Sequence, residues 1–169
     1  PVIVIIVIVK NKLHDDVPAW EVEVKDLNID VENLDYKLQD GILFRKITTR
    51  FENHDQHLKD KILSFLDIDY IKEKVPDYKE IDIRIFKDLL GFKLVPHCDV
   101  FEHKAFLMIN LIDNVNSTTF YDRFEKLLCE GSNKKNTGIF HTLHTKPRIM
   151  HAIENTSKKD RYTTIAFIK

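Results

Sequence analysis

Val2-Ile3-Val4-Ile5-Ile6-Val7-Ile8-Val9 is β-branched at every position. An apolar run without alternation marks a strand that is covered on both faces. The stretch therefore predicts a central N-terminal strand. No basic region precedes it and no small-residue cleavage site follows it, so it does not read as a signal peptide.

Outward from that strand, Trp20, Val22 and Val24 alternate with Glu21, Glu23 and Lys25, the period of a half-buried strand. Leu27, Ile29 and Val31 continue the alternation in the opposite phase, which requires a turn or bulge near Lys25-Asp26. Gly41 opens Ile42-Leu43-Phe44-Arg45-Lys46-Ile47, which reads as another strand. Leu58, Ile62, Phe65 and Leu66 have helical spacing, predicting an amphipathic helix over roughly 55–66 with Asp55 as its N-cap. Ile81, Ile83 and Ile85 alternate as a strand, although Ile85, Leu89 and Leu90 also fit a helix.

Asp99-Val100-Phe101-Glu102 has the form of a capping box. Ala105, Phe106, Ile109 and Ile112 follow it at helical spacing. Ser117–Thr119 can cap a further helix through Phe120, Phe124, Leu127 and Leu128, ended by Gly131. Ser132 to Gly138 reads as a polar loop. Ile149–Ile153 and Thr163–Ile168 read as strands. The expected fold is α/β or α+β: one domain over 1–169, with a mixed sheet around the N-terminal strand and three to four flanking helices.

The chain has 169 residues, is 43% hydrophobic and 31% charged, and carries a formal net charge of −1. That composition fills a core and excludes a uniformly basic nucleic-acid binder. Its four glycines never form G-x-G, which excludes the dinucleotide fingerprint and the P-loop. No apolar run reaches the length needed to span a bilayer. Cys98 and Cys129 are too few for a disulfide framework; they predict free thiols in a reducing compartment, cytoplasm or nucleus, with one bridge and secretion left open. Isoleucine, lysine, asparagine and aspartate are abundant, as in proteins of AT-rich viral or parasite genomes.

Four patterns bear on chemistry. Asp16, with Glu23-Val24-Lys25, resembles the metal-dependent nucleases of the PD-(D/E)xK type. That resemblance implies Mg²⁺ or Mn²⁺ held by Asp16 and Glu23, with Lys25 steadying the attacked phosphate. Histidines and a cysteine gather in two places, His97-Cys98 with His103, and His141 with His144 and His151. Joined in space, His97, Cys98, His103, His141 and His144 supply the nitrogen and sulfur donors that zinc takes. No G-x-S-x-G elbow occurs. Residues 134–169 carry eight Lys or Arg against two acids, an electrostatic footprint for an anion such as RNA.

No catalytic set closes on these patterns. The sequence therefore points first to a domain that binds a macromolecule without catalysis. A protein partner is expected, and nucleic acid would be reached through the basic residues from Lys134 to Lys169. The PD-(D/E)xK nuclease is the alternative.

Overall fold

The computed structural model describes residues 7–39 and 47–169. In chain order the strands and helices are β1 (Val7–His14), β2 (Val17–Val24), β3 (Lys37–Leu38), β4 (Arg50–Asn53), α1 (Gln56–Phe65), α2 (Ile68–Lys74), β5 (Ile81–Asp88), β6 (Lys93–His97), β7 (Ala105–Asn110), β8 (Thr119–Tyr121), β9 (Leu127–Glu130), β10 (Thr137–Thr142), β11 (Met150–Glu154) and β12 (Arg161–Ile168). Two sheets form, in the orders β1-β2-β10-β7-β12-β5-β4-β3 and β6-β11-β8-β9. Every neighbouring pair is antiparallel.

From β5 onward the chain passes back and forth between the sheets. Strands β5, β7, β10 and β12 lie in the large sheet; β6, β8, β9 and β11 make the small one. Eight antiparallel strands distributed in this order are a double-sheet jelly roll. Strands β1 and β2 widen the large sheet at one edge, and β3 and β4 widen it at the other.

The expected mixed sheet with three to four flanking helices is corrected by this arrangement, which has two α-helices among the described residues. The predicted helices after Asp99 and Ser117 are strands β7, β8 and β9. The cause lies in burial. All six residues of β7 are buried, because one face meets the helices and the other meets the small sheet. A strand covered on both sides loses its alternation, and its apolar run then satisfies helical spacing by coincidence. Gly131 follows β9 rather than ending a helix.

The N-terminal strand is corrected as well. Residues 1–6 lie outside the described residues, as do 40–46, which hold most of the stretch opened by Gly41. Val7–Val9 begin β1, which is the edge of the large sheet rather than its centre. Their apolar character is used against α2, where Val7 and Val9 meet Tyr70 and Ile71 across a small cleft. The expected helix near 55–66 is present as α1, with the Asp55 carboxylate accepting from the His57 backbone N–H at 2.9 Å. The phase change after β2 falls at Asp26, whose φ is 60°. Leu27, Ile29 and Val31 then run as coil and a short 3-10 turn instead of a strand.

Two cores result. The first lies outside the large sheet, where Ile62, Leu66, Ile71 and Val75 cover Val22, Val24, Ile85, Leu107, Ile109, Phe140 and Ala166. The second fills the space between the sheets with Val17, Ala19, Phe86, Phe106, Met108, Phe120, Ile139, Ile149 and Ile165. Gly138 fixes one contact of this frame. It belongs to β10 rather than to a loop, and pairs with Ile109 of β7. A Cβ added there would fall 1.7 Å from the Met108 carbonyl oxygen. Gly138→Ala should therefore part β10 from β7 and cost about 2 kcal/mol or more. Urea denaturation measures this; an unchanged midpoint would mean the two strands are not so closely apposed.

Candidate metal centre between the sheets

His97 ends β6 and His151 is the second residue of β11, and the two are direct cross-strand partners. Between His151 and Ile153 the register slips, so β6 sets two residues against one of β11, Ala152. This bulge contains Val95 and Pro96, and Pro96 has no N–H to contribute to a ladder. The His97 Nδ1 lies 2.7 Å from the Val95 carbonyl oxygen inside the bulge. A carbonyl only accepts, so Nδ1 carries hydrogen and Nε2 is the atom turned to its neighbours.

Asp99 follows two residues after His97, on the same side of the extended chain. Its Oδ1 is 3.5 Å from His97 Nε2 and 3.2 Å from His151 Nε2. The three ligand atoms all lie within 4.8 Å of one another. His151 is buried, and the other two are partly buried. Burial pushes the Asp99 carboxyl up, but the imidazoles of His103, His151 and His97 outweigh it and hold it well below the usual range. Burial likewise pushes His97 down, and Asp99 with the Val95 carbonyl outweighs it, leaving His97 raised.

Above the cluster opens a cavity of about 300 Å³ lined by Arg50, Arg84, Phe86, His97, Asp99 and Phe167 among others. Its lining carries Arg50, Arg84 and Lys169 against Asp82, Asp99 and Glu102. Asp82 and Glu52 match Arg84 and Lys169. Deeper in, Arg50 holds Asp88 with both ends of its fork, at 2.7 and 3.0 Å, and Arg161 holds the same carboxylate at 3.0 Å. Two guanidinium groups thus share one anion. Arg161 is 1% exposed, and its Nε and Nη2 have no acceptor. Burial lowers its pKa, and Arg50 lowers it further against the opposing pull of Asp88. The Arg50 guanidinium is boxed between the Phe86 and Phe92 rings at 4.0 and 4.2 Å.

The remaining residues singled out in the sequence fall as follows. Cys98 turns away from the cluster, its Sγ 3.4 Å from the Ile149 carbonyl and 3.1 Å from Arg148 Nε. His103 stands behind Asp99, its Nδ1 3.8 Å from Oδ2, too far for a hydrogen bond, and stacks on Phe167. His141 lies buried behind His151, with ring centroids 5.8 Å apart. His144 is exposed against Phe101. Asp16 sits in the turn before β2, whereas Glu23 and Lys25 stand at its far end, roughly 20 Å along the strand. They do not share a site. Of the basic C-terminal residues, Arg161 is in the core and Lys169 is tied to Asp82.

Two members of the cluster carry other readings in the sequence. Asp99 has the form of a helix cap, and His151 groups with His141 and His144. The signal that finds them is the pattern His97-x-Asp99 at a strand end with a further histidine on the facing strand. It becomes visible only once residues 93–110 are read as strands.

No family model matches the sequence, and no curated protein matches it. Among solved structures, the chain is similar to a cupin domain from Bordetella pertussis at 9% identity, covering 55% of this chain and 85% of that one, with a TM-score of 0.38. It is also similar to the viral collagen prolyl hydroxylase of Paramecium bursaria Chlorella virus 1, solved with 2OG, at 15% identity, covering 70% and 76% with a TM-score of 0.45. The fold assignment rests on the strand order described above. The class of protein so defined is a jelly roll with a cluster of side chains able to bind a metal. Among the described residues no helix is long and apolar enough to cross a membrane.

His141 gives the site a pH signature. Burial lowers its pKa to about 4, and the nearby His151 adds to the effect. The unfolded chain binds this proton near pH 6.5 and the folded chain does not, so stability falls as pH drops from about 6.5 to 4. The full effect is about 3 kcal/mol at the lower end. In EDTA, the urea midpoint of the wild type should fall more steeply across this window than that of His141→Gln. Parallel slopes would mean that His141 is not buried neutral.

Proposed function

We propose that this chain is a non-haem iron(II) oxygenase that takes a 2-oxoacid dicarboxylate, 2-oxoglutarate, as co-substrate. The observation that carries the reading is the His97, Asp99 and His151 cluster. Two imidazoles and one carboxylate on one side of a metal position, with the remaining positions open, are the donor set of non-haem iron(II) oxygenases. The donors fit iron better than structural zinc, which takes a closed set of four and favours thiolate. Cys98 lies beside the cluster but turns toward Ile149 and Arg148.

The co-substrate is argued from charge. Among the described residues, Arg50, Arg161 and Asp88 together leave one positive charge buried without a counter-ion, and two donors of Arg161 have no acceptor. Buried unpaired charge is costly, and buried empty donors are rare. One incoming carboxylate satisfies both. Arg50 lines the same cavity as His97 and Asp99, so a molecule with its 2-oxoacid end at the cluster would have Arg50 on the wall to receive its distal carboxylate, with Arg161 behind it on Asp88. Charge-assisted, forked bonding makes arginine the suited receptor.

Iron bound here would supply the redox chemistry that couples oxidative decarboxylation of 2-oxoglutarate by O2, to succinate and CO2, with hydroxylation of a substrate C–H bond. The chain's own residues do the rest. Val95 fixes the His97 tautomer, Asp99 contributes the anionic ligand, and Phe86, Phe92, Phe106 and Phe120 keep water from the interior. The low dielectric they create strengthens every charge interaction within it.

The test uses protein stripped with EDTA and kept anaerobic. Mn²⁺ or Fe²⁺ should raise the melting temperature by mass action, and 2-oxoglutarate should raise it further only when metal is present. Asp99→Ala should abolish the metal effect. Arg161→Met should retain it and weaken 2-oxoglutarate by about thirtyfold or more, the equivalent of about 2 kcal/mol of charged bonding. With O2 admitted, the wild type should release succinate. No thermal response of the wild type to either metal would overturn the reading.

A further inference from the structure

We propose that His141 positions His151, accepting a hydrogen bond from its Nδ1–H and so fixing the tautomer that presents Nε2 to the metal. The proposal rests on the metal reading of His97, Asp99 and His151. It concerns a residue that touches neither metal nor substrate.

Two buried atoms in the same aromatic box lack partners among the described residues. His151 faces Asp99 through Nε2 at 3.2 Å, so ligation through that atom leaves the proton on Nδ1. That Nδ1 is buried and has no hydrogen-bond partner. His141 faces the Pro18 carbonyl through Nδ1 at 3.1 Å. Because a carbonyl only accepts, the His141 proton is on Nδ1 and its Nε2 is a bare lone pair. That Nε2 is also buried and without a partner. One ring thus needs an acceptor and the other needs a donor.

The surroundings leave them to each other. The two rings are 5.8 Å apart and nearly perpendicular, at 82°. Phe106 is edge-on to both, at 5.3 and 5.0 Å, and Phe120 is edge-on to His141 at 5.2 Å. These aromatic walls offer no hydrogen-bonding atom. Each orphan left alone costs about 1–3 kcal/mol. A small ring rotation, or one buried water, closes the link and satisfies both. His141 is also rigidly held, since β10 is hydrogen-bonded on both sides, with His141 opposite Ala19 of β2 and Phe106 of β7. Outer partners of this kind orient a metal-binding histidine and raise its basicity, and their loss weakens the metal by about 10- to 100-fold.

The experiment compares His141→Gln with His141→Asn. Glutamine places its carbonyl near the position of Nε2 and keeps the acceptor; asparagine is shorter and withdraws it. Metal-free proteins are titrated anaerobically with Co²⁺, read by its d–d absorption, and urea midpoints are recorded alongside. The expected result is that Asn weakens Co²⁺ about 10- to 100-fold while Gln stays within about threefold of wild type. Equal binding by the Asn variant and wild type, or equal weakening in both variants, overturns the positioning role. Wild-type protein that binds no Co²⁺ overturns the metal reading as well, which separates the two failures. A measurement without substitution stands beside these. In Zn²⁺-loaded, ¹⁵N-histidine-labelled wild type, His151 should be protonated on Nδ1 and His141 Nε2 should show the shielded shift of an accepting nitrogen. A free-lone-pair shift at His141 Nε2 overturns the proposal.

Discussion

The cross-strand pairing of His97 with His151 is the constraint on which the rest of the molecule depends. Strands β6 and β11 are far apart in sequence and meet only because the jelly roll passes the chain between two sheets. The bulge at Val95 and Pro96 precedes His97 at the end of β6, and His97 with Asp99 just beyond it both reach His151. A shift of one residue would send those side chains to the solvent face. The fold thus brings two imidazoles and a carboxylate within 4.8 Å of one another, the imidazoles on paired strands and the carboxylate two residues past the end of β6.

A second constraint follows from burial. The space between the sheets holds Arg50, Asp88 and Arg161, together with Phe86 and Phe92, in one packed group. The cluster of His97, Asp99 and His151 and the group of Arg50, Asp88 and Arg161 share one interior. Each is unfavourable alone in a region of low dielectric. A metal and a dicarboxylate resolve both, which is why the two are read as parts of one site. The aromatic walls sharpen the effect by excluding the water that would otherwise compensate these groups.

Local signals of the fold were legible where one side of an element faces solvent. Trp20, Val22 and Val24 in β2, the Asp55 cap of α1, and the alternation of Ile81, Ile83 and Ile85 in β5 all read directly, because a polar face reveals the period. The signal failed where burial is two-sided. In β7 the run Ala105–Ile109 is apolar and all six residues through Asn110 are buried, so strand and helix spacing coincide. That one misreading turns the flanking Asp99, a neighbour of His97 and His151, into a helix cap. The apolar Val2–Val9 stretch fails in the reverse direction, since Val7–Val9 lie at a sheet edge and are covered by α2. His97 was visible as a candidate ligand by its residue type. Its true neighbours Asp99 and His151 depend on strand register, which no local pattern encodes.

The most direct measurement of the central claim is a crystal structure grown anaerobically with Mn²⁺ and 2-oxoglutarate, with diffraction recorded at a wavelength where manganese scatters anomalously. The account predicts an anomalous peak within bonding distance of His97 Nε2, Asp99 Oδ1 and His151 Nε2, and a dicarboxylate whose far end meets Arg161 or Arg50. Manganese bound elsewhere, with these three side chains making no metal contact, would contradict it.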